Sequence, residues 1–330
     1  MKAIKILTMA ALATAVFVSC SNEDELAQNN YPMDNVVRIM TSVDGMNTRA
    51  SYGNSTDKLS SFGFCINNAG NTKYTYDNIK VTKEGSNWNP ATQMFWQNST
   101  TAVDILAYAP YQETTEDASG KVKVFGKTDY AFAVQADQSD AEDYSSDLIV
   151  YKQTEFTPGS ELNTSKAVDV TFTHLLSQLN LTIELRDQFN QDEKKPVTSA
   201  TVTDVKVDGT FIRSKVNFAA DPISVQIGGT QVPKAITPET VAFTKADKTT
   251  DHATFKYSAI VIPQWIRAGV FCISFKVNGN DYIWTSTSDV NFVSGKKHDL
   301  HLLVGKDVVQ GGAISAKPWG EETITEKETD

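Results

Sequence analysis

Residues that could catalyse a reaction or bind a metal are few in this chain. No serine or cysteine lies in a nucleophile motif, and there are four histidines: His174, His252, His298 and His301. The last two are three positions apart on a predicted strand, so their side chains point to opposite faces and form a poor metal-binding pair. The tripeptide "GKT" at 126–128 lacks the first glycine of a phosphate-binding loop, because Lys121 occupies that position. We therefore expect no catalytic residue, no cofactor and no metal, and predict that the protein is not an enzyme.

One acidic loop could bind a cation. It spans residues 135–147 and contains five carboxylates: Asp137, Asp140, Glu142, Asp143 and Asp147. The glycine-centred spacing of a known calcium loop is missing, so we interpret the segment as a solvated acidic loop and keep calcium binding open.

Tryptophans offer another kind of chemistry, which is stacking against sugars. The chain has five: Trp88, Trp96, Trp265, Trp284 and Trp319. Several lie beside predicted strands, and we interpret them as residues of the core or of sheet faces. A sugar-stacking platform is the alternative.

The N-terminal segment predicts covalent attachment of lipid. "MKAIKILTMAALATAVFVSC" has Lys2 and Lys5, then an apolar run that ends before Ser19 and Cys20. This is the layout of a bacterial lipoprotein signal, and the apolar run is shorter than the about 20 residues that span a bilayer. We predict a signal peptide at 1–19 and acyl chains, including palmitate, on Cys20 as a stable membrane anchor. An ordinary signal peptide with an incidental cysteine is the alternative.

A strand followed by a loop with one arginine comes next, in "DNVVRIMTSVDGMNTRASYGN" at 34–54. Val37, Ile39 and Val43 lie on one face of the predicted strand, and Arg49 and Ala50 lie in the loop. Burial of the three apolar side chains at about 1.5–3 kcal/mol each contributes about 5–9 kcal/mol in total.

Composition restricts the class of partner. The formal net charge is −10, and no cluster of Lys and Arg is present to displace the counterions of a phosphate backbone, which argues against nucleic acid. Two further cysteines, Cys65 and Cys272, are flanked by strand-like aromatic residues. We interpret them as small buried thiols and leave a disulfide between them open.

Strand patterns dominate the rest of the chain. Runs with period-two alternation recur at 73–81, 102–111, 121–125, 167–173, 179–185, 199–207, 253–263, 269–277, 281–285 and 298–304. Short strands at this spacing indicate β-sandwiches. In "FTHLLSQLNLTI" the alternation shifts phase at Leu175 and Leu176, which suggests a bulge or a single helical turn. We place a domain boundary in the Pro-, Gly- and Ser-rich segment 157–166, between residues 163 and 164.

Seven segments of the sequence together resemble a known family. "WNPATQMFWQ" (88–97), "DILAYAPY" (104–111), "DLIVYKQ" (147–153), "FTHLLSQLNLTI" (172–183), "YSAIVIPQ" (257–264), "GKKHDLHLLV" (295–304) and "ISAKPWGEE" (314–322) follow one another in the order found in fimbrillins, the lipoprotein-derived pilins of the type V pilus. The resemblance implies an all-β fold with two tandem transthyretin-like β-sandwich domains, at 50–163 and 164–330. It also implies the absence of an active site.

The resemblance implies a route of assembly as well. Such pilins reach the outer membrane as lipoproteins, and a protease cuts after an arginine in the first loop, which matches Arg49 followed by Ala50. The lipidated propeptide, here 20–49, then leaves with its strand, and a strand from another pilin subunit fills the apolar groove. The mature protein would then belong to the fimbrium at the cell surface, with a role in adhesion.

The position of the subunit in the pilus depends on the C-terminal tail. "GEETITEKETD" has Ile324 as its only apolar side chain, so it is a poor strand donor. We therefore favour a tip or accessory pilin over a stalk pilin and leave a host or bacterial surface ligand open. A surface glycan-binding lipoprotein is the alternative from another class, and a secreted hydrolase is the third hypothesis.

Overall fold

β-Strands make up almost all regular structure in the computed structural model, which describes residues 30–43, 52, 55–113, 123–191, 196–247, 251–312 and 314–319. The other regular elements are a four-residue helix, α1 (Pro158–Glu161), and two 3-10 turns at Thr72–Tyr74 and Asp187–Phe189. The predicted all-β class is confirmed. None of the helices in the described ranges has the length and apolar character needed to cross a bilayer.

The strands up to the middle of the chain are β1 (Ile39–Val43), β2 (Ser61–Asn67), β3 (Tyr76–Glu84), β4 (Asn87–Pro90), β5 (Val103–Ala109), β6 (Tyr130–Ala133), β7 (Ile149–Phe156) and β8 (Val168–His174). Those that follow are β9 (Ser177–Leu185), β10 (Val202–Asp208), β11 (Arg213–Asn217), β12 (Ser224–Ile227), β13 (Glu239–Thr244), β14 (Ala253–Val261), β15 (Gln264–Ile266), β16 (Cys272–Val277), β17 (Asn280–Thr285), β18 (Val290–Phe292), β19 (Lys296–Val304), β20 (Val309–Gly311) and β21 (Ser315–Pro318).

A seven-stranded sheet contains most of the early strands, in the order β1-β8-β7-β5-β2-β3-β4. All neighbours are antiparallel except β1 and β8, which run parallel. Gly63 on β2 allows a close approach within this sheet, because a Cβ at that position would lie 2.3 Å from Cε1 of Tyr108 on β5.

The later strands form a six-stranded sheet and three smaller sheets. The large sheet has the order β13-β14-β9-β19-β20, and β21 also pairs with β19. The smaller sheets are β10-β16-β17, β12-β11-β6 and the ribbon β15-β18. β6 therefore pairs with strands that are much later in the chain.

Two hydrophobic cores hold the sheets together. The smaller core lies on one face of the seven-stranded sheet and includes Phe62, Phe64 and Ile105. The larger core covers the other face of β5 through Leu106 and Tyr108 and continues through the six-stranded sheet. β5 is thus buried on both faces, which explains its nearly continuous apolar sequence.

Two local predictions are wrong. Leu175 and Leu176 form neither a bulge nor a helical turn; both are buried where the chain passes from β8 in the seven-stranded sheet to β9 in the six-stranded sheet. In the segment 121–125, the described residues 123–125 are not a strand. The N–H groups of Val124 and Phe125 instead donate to Oδ1 of Asp77, at 2.9 and 3.2 Å, so a side chain replaces a strand partner.

The domain boundary between residues 163 and 164 stays a prediction. β8 begins just after it and pairs with β1 and β7 in the seven-stranded sheet. β9 pairs with β14 and β19 in the six-stranded sheet.

Candidate functional site

β1 is the edge strand of the seven-stranded sheet and pairs in parallel with β8. The register places Ile39 beside Val168, Thr41 beside Val170 and Val43 beside Phe172. Two further backbone hydrogen bonds fix the approach to the strand: Val37 N–H donates to the Met94 carbonyl at 3.0 Å, and Val168 N–H donates to the Arg38 carbonyl at 2.9 Å. β1 is therefore positioned by partners that are distant in the sequence.

The apolar face of this segment is buried. Val37, Ile39 and Val43 are only 3%, 7% and 6% exposed and belong to the smaller core. Met40, which points the other way, is 48% exposed. The alternation expected from the sequence thus matches the observed burial, and Val168, Val170 and Phe172 of β8 line the same core.

The outer edge of β1 faces a groove. Its volume is about 810 Å³, and it lies between residues 36–41 on one side and the β4 region, including Trp88 and Pro90, on the other. Within the described ranges, β8 is the only strand that pairs with β1. A strand in this position can be added to or removed from a sheet without breaking the pairs of the other strands.

A buried cluster contains Tyr52, the first described residue after Arg49. We call Tyr52, Asp147, His174 and Trp319 the junction cluster. Tyr52 N–H donates to Oδ2 of Asp147 at 2.8 Å, and Oδ1 of Asp147 lies 2.9 Å from Nδ1 of His174. The ring of Trp319 stacks on His174 with centroids 3.9 Å apart. Burial, and then the Asp147 carboxylate, raise the pKa of Tyr52. The cluster thus brings the segment after Arg49 next to Trp319, the last described residue.

The predicted covalent sites lie outside the described residues. These are Cys20, for lipid attachment, and Arg49 and Ala50, for proteolytic processing. Tyr52 is three residues after Arg49 and Val43 is six residues before it, so buried residues flank the loop on both sides.

The acidic loop uses several of its carboxylates within turns. Asp137, Asp140 and Asp143 each accept the backbone N–H two residues further on, at 2.9–3.1 Å, whereas Asp147 belongs to the junction cluster. Across the described parts of the chain, no three His, Cys, Asp or Glu side chains are arranged to hold a metal ion. Cys65 and Cys272 are both free thiols, so the disulfide that the sequence left open is not formed.

The histidines on β19 point to opposite faces, as expected. His298 is buried, and its Nε2 accepts the Val293 N–H at 3.0 Å. His301 is exposed and lies 2.7 Å from Glu184, which also contacts His252. The hydrogen bond to His301 holds the pKa of Glu184 at about 2, and the same bond raises the pKa of His301. Sequence reasoning missed this pairing because the three residues lie on different strands or loops.

Comparison with solved structures identifies related folds. A putative cell adhesion protein from Bacteroides uniformis has a TM-score of 0.55 and 19% identity, covering 87% of this chain and 99% of that one. Another from Bacteroides ovatus has a TM-score of 0.57 and 14% identity, covering 87% and 98%. A fimbrial protein from Bacteroides vulgatus has a TM-score of 0.51 and 14% identity, covering 86% and 99%. At these identities the likeness concerns the fold. No curated protein matches significantly.

The sequence itself matches a family model. The model is described as Fimbrillin-like and covers residues 48–319, from the arginine loop to Trp319 of the junction cluster. Together with the fimbrial and adhesion proteins of the same fold, this match identifies a structural protein and not an enzyme. This chain belongs to the fimbrillin-like family.

Proposed function

We propose that this protein is a subunit of a cell-surface pilus whose β1 is a removable strand. The precursor is anchored to the outer membrane through lipid on Cys20, and proteolysis after Arg49 frees residues 20–49. The edge of β8 and the apolar surface beneath β1 then accept a strand from another pilin subunit. The family match supports the coarser role in a fimbrium.

The observation that carries this proposal is the position of β1. It precedes Arg49 in the chain, and within the described residues it pairs with one strand only. After a cut at Arg49, only noncovalent contacts hold β1, whereas Tyr52 on the other side of the cut is anchored to Asp147. Proteolysis would therefore release the strand and leave the body of the fold in place.

The free energy of apolar burial favours the assembled state over the empty site. An empty site would expose an unpaired strand edge and the side chains of Val168, Val170 and Phe172, a combination that favours pairing with another strand. Refilling it would recover about 5–9 kcal/mol of apolar burial, together with backbone hydrogen bonds.

We infer the position of the subunit in the pilus from the composition of the segment after Trp319. β21 pairs with β19 and Trp319 is buried, so both belong to this chain's own fold, and the acidic segment 320–330 is the candidate donor strand. This composition favours a tip or accessory subunit, and a stalk subunit is second. A surface glycan-binding lipoprotein is the alternative, and the exposure of Trp265 is the observation that favours it.

Arg49→Ala tests the proposal. We expect the variant to fold and to retain lipid at Cys20, yet to be absent from pili, because its own strand still fills the site. N-terminal sequencing of surface-assembled wild-type protein should begin at Ala50, and purified cleaved protein should stay monomeric without other pilins. Assembly of Arg49→Ala at the wild-type level would refute the removable strand, and polymers of the cleaved protein alone would assign it to the stalk.

A further inference from the structure

One tryptophan differs from the other four. Trp96 and Trp319 are buried, and Trp88 and Trp284 are half-buried, as expected for core and sheet-face residues. Trp265 is 55% exposed. Its indole is therefore accessible to a ligand.

The ribbon β15-β18 fixes the direction of this side chain. Trp265 pairs with Asn291, and the flanking positions on both strands point inward and are buried: Gln264, Ile266, Val290 and Phe292. The Gln264 side chain accepts the Phe211 N–H at 2.9 Å and donates to the Ile262 carbonyl at 2.9 Å. The ribbon is therefore anchored to the protein body, and its outward face is held ready for a ligand.

Polar side chains lie beside the Trp265 indole. The guanidinium carbon of Arg267 lies 5.9 Å from the Trp265 ring centroid, and the exposed Asn291 lies opposite Trp265 on the other strand. Nearby, Asp289 accepts the Ala268 N–H at 2.9 Å. Among the described residues, no hydrogen bond or ion pair involves the side chains of Arg267 or Asn291. We call Trp265, Arg267 and Asn291 the Trp265 face.

These three groups suit one class of ligand. An indole offers a flat apolar surface against which the C–H groups of a sugar ring can pack. The Arg267 guanidinium lies over the Trp265 ring but keeps its in-plane N–H groups, which can bind a carboxylate through two parallel hydrogen bonds. The Asn291 amide can both donate to and accept from hydroxyls. A protein partner would need about 800 Å² of surface on each side, whereas the described residues next to the ribbon strands in the sequence add only two exposed large apolar side chains, Val270 and Val293. The Trp265 face is better matched in size to a single sugar residue.

We propose that the Trp265 face binds a saccharide that carries a carboxylate, such as a terminal sialic acid or a uronic acid. This inference rests on the proposed cell-surface role and adds to it the class of ligand that the protein would bind. It does not depend on proteolysis at Arg49, because the ribbon lies far from β1 in the chain and in a different sheet.

Binding of defined oligosaccharides tests the inference. Full-length protein in detergent is titrated with sialyllactose, a hyaluronan tetrasaccharide and lactose, and binding is followed by calorimetry. We expect at least one acidic probe to bind about tenfold more tightly than neutral lactose. Trp265→Ala should weaken that binding by about tenfold or more, and Arg267→Gln should abolish the preference for the acidic probe.

Matched controls separate this site from the rest of the surface. Val232→Ala removes another exposed apolar side chain, and Lys215→Gln removes another exposed cation; both should bind like the wild type. Arg49→Ala should also bind normally, so that failure of the pilus proposal is distinguishable from failure of this one. Equal binding of acidic and neutral probes, no binding of either acidic probe, or a change of oligomeric state in Trp265→Ala in place of lost sugar binding would overturn the proposal.

Discussion

At the scale of single residues, the described chain uses its polar buried groups for structure. Asp147 accepts from the Tyr52 backbone and contacts His174, on which Trp319 stacks. The carboxylates of the acidic loop mostly satisfy turn N–H groups. From the sequence, these residues could be singled out by type but not by partner, because both partners of the Asp147 carboxylate, Tyr52 and His174, are more than 20 positions away in the chain.

Glu184 and His301 give stability a pH dependence. The pKa of His301 is raised from its ordinary 6.5, so the contribution of His301 is present below that value and is lost as pH rises through the folded pKa. The pKa of Glu184 is lowered from 4.5 to about 2, so the contribution of Glu184 is present above 4.5 and is lost as pH falls through about 2. Both contributions are in place between about pH 4.5 and 6.5.

We therefore predict that Glu184→Gln lowers the free energy of unfolding more at about pH 5.5 than at about pH 8.5. Urea unfolding of wild type and variant at the two pH values measures the difference. Glu155→Gln alters an exposed carboxylate that has no hydrogen-bond or ion-pair partner among the described residues, and it should have a small effect at both pH values. If the Glu184→Gln effect is the same at both pH values, the histidine pairing does not contribute to stability.

At the scale of elements, the alternating runs predicted about half of the described strands, and they did not predict how the strands pair. The alternating runs that became β5, β8, β14 and β19 follow directly from their apolar spacing. Short strands such as β4, β15 and β18 have three or four residues and carry too little pattern. The parallel pairing of β1 with β8 joins segments about 130 residues apart, and no local signal in "VVRIMTSV" specifies that partner.

The same limit explains the two local errors. At Leu175 and Leu176 the phase shift is real, but its cause is a change of sheet, which depends on long-range packing. At residues 123–125 the strand pattern is overridden because Asp77 takes the backbone donors. The exposure of Trp265 likewise depends on which face of a three-residue strand the core covers.

β1 offers a matched pair of substitutions. Ile39→Ala removes a buried side chain and should lower the free energy of unfolding by about 2–4 kcal/mol, whereas Met40→Ala, on the exposed face of the same strand, should change it by less than about 0.5 kcal/mol. Urea melts of the two uncut variants give the comparison. Equal effects would mean that the buried face of β1 contributes no more to the free energy of unfolding than its exposed face.

At the scale of the whole molecule, directional hydrogen bonds connect distant segments of the chain beside the larger core. Nζ of Lys152 on β7 donates to the carbonyls of Phe218, Ala219 and Ala220 at 2.8–3.1 Å. The side chain of Gln138 makes two bonds, of 2.9 and 2.7 Å, to the backbone of Ile260 on β14. β1 contributes to the smaller core only. Its removal would therefore leave the larger core and the hydrogen bonds of Lys152 and Gln138 in place.

The most direct test of the removable strand is a thermal melt of three samples: intact protein, protein cut at Arg49 and freed of residues 20–49, and the cut protein with a synthetic peptide of residues 34–44. We predict that removal lowers the melting temperature, because about 5–9 kcal/mol of apolar burial is lost, and that the peptide restores it in a concentration-dependent manner. A peptide with Asn at the positions of Ile39 and Val43 should not. Identical melting of the intact and the cut protein, with no response to either peptide, would contradict the account.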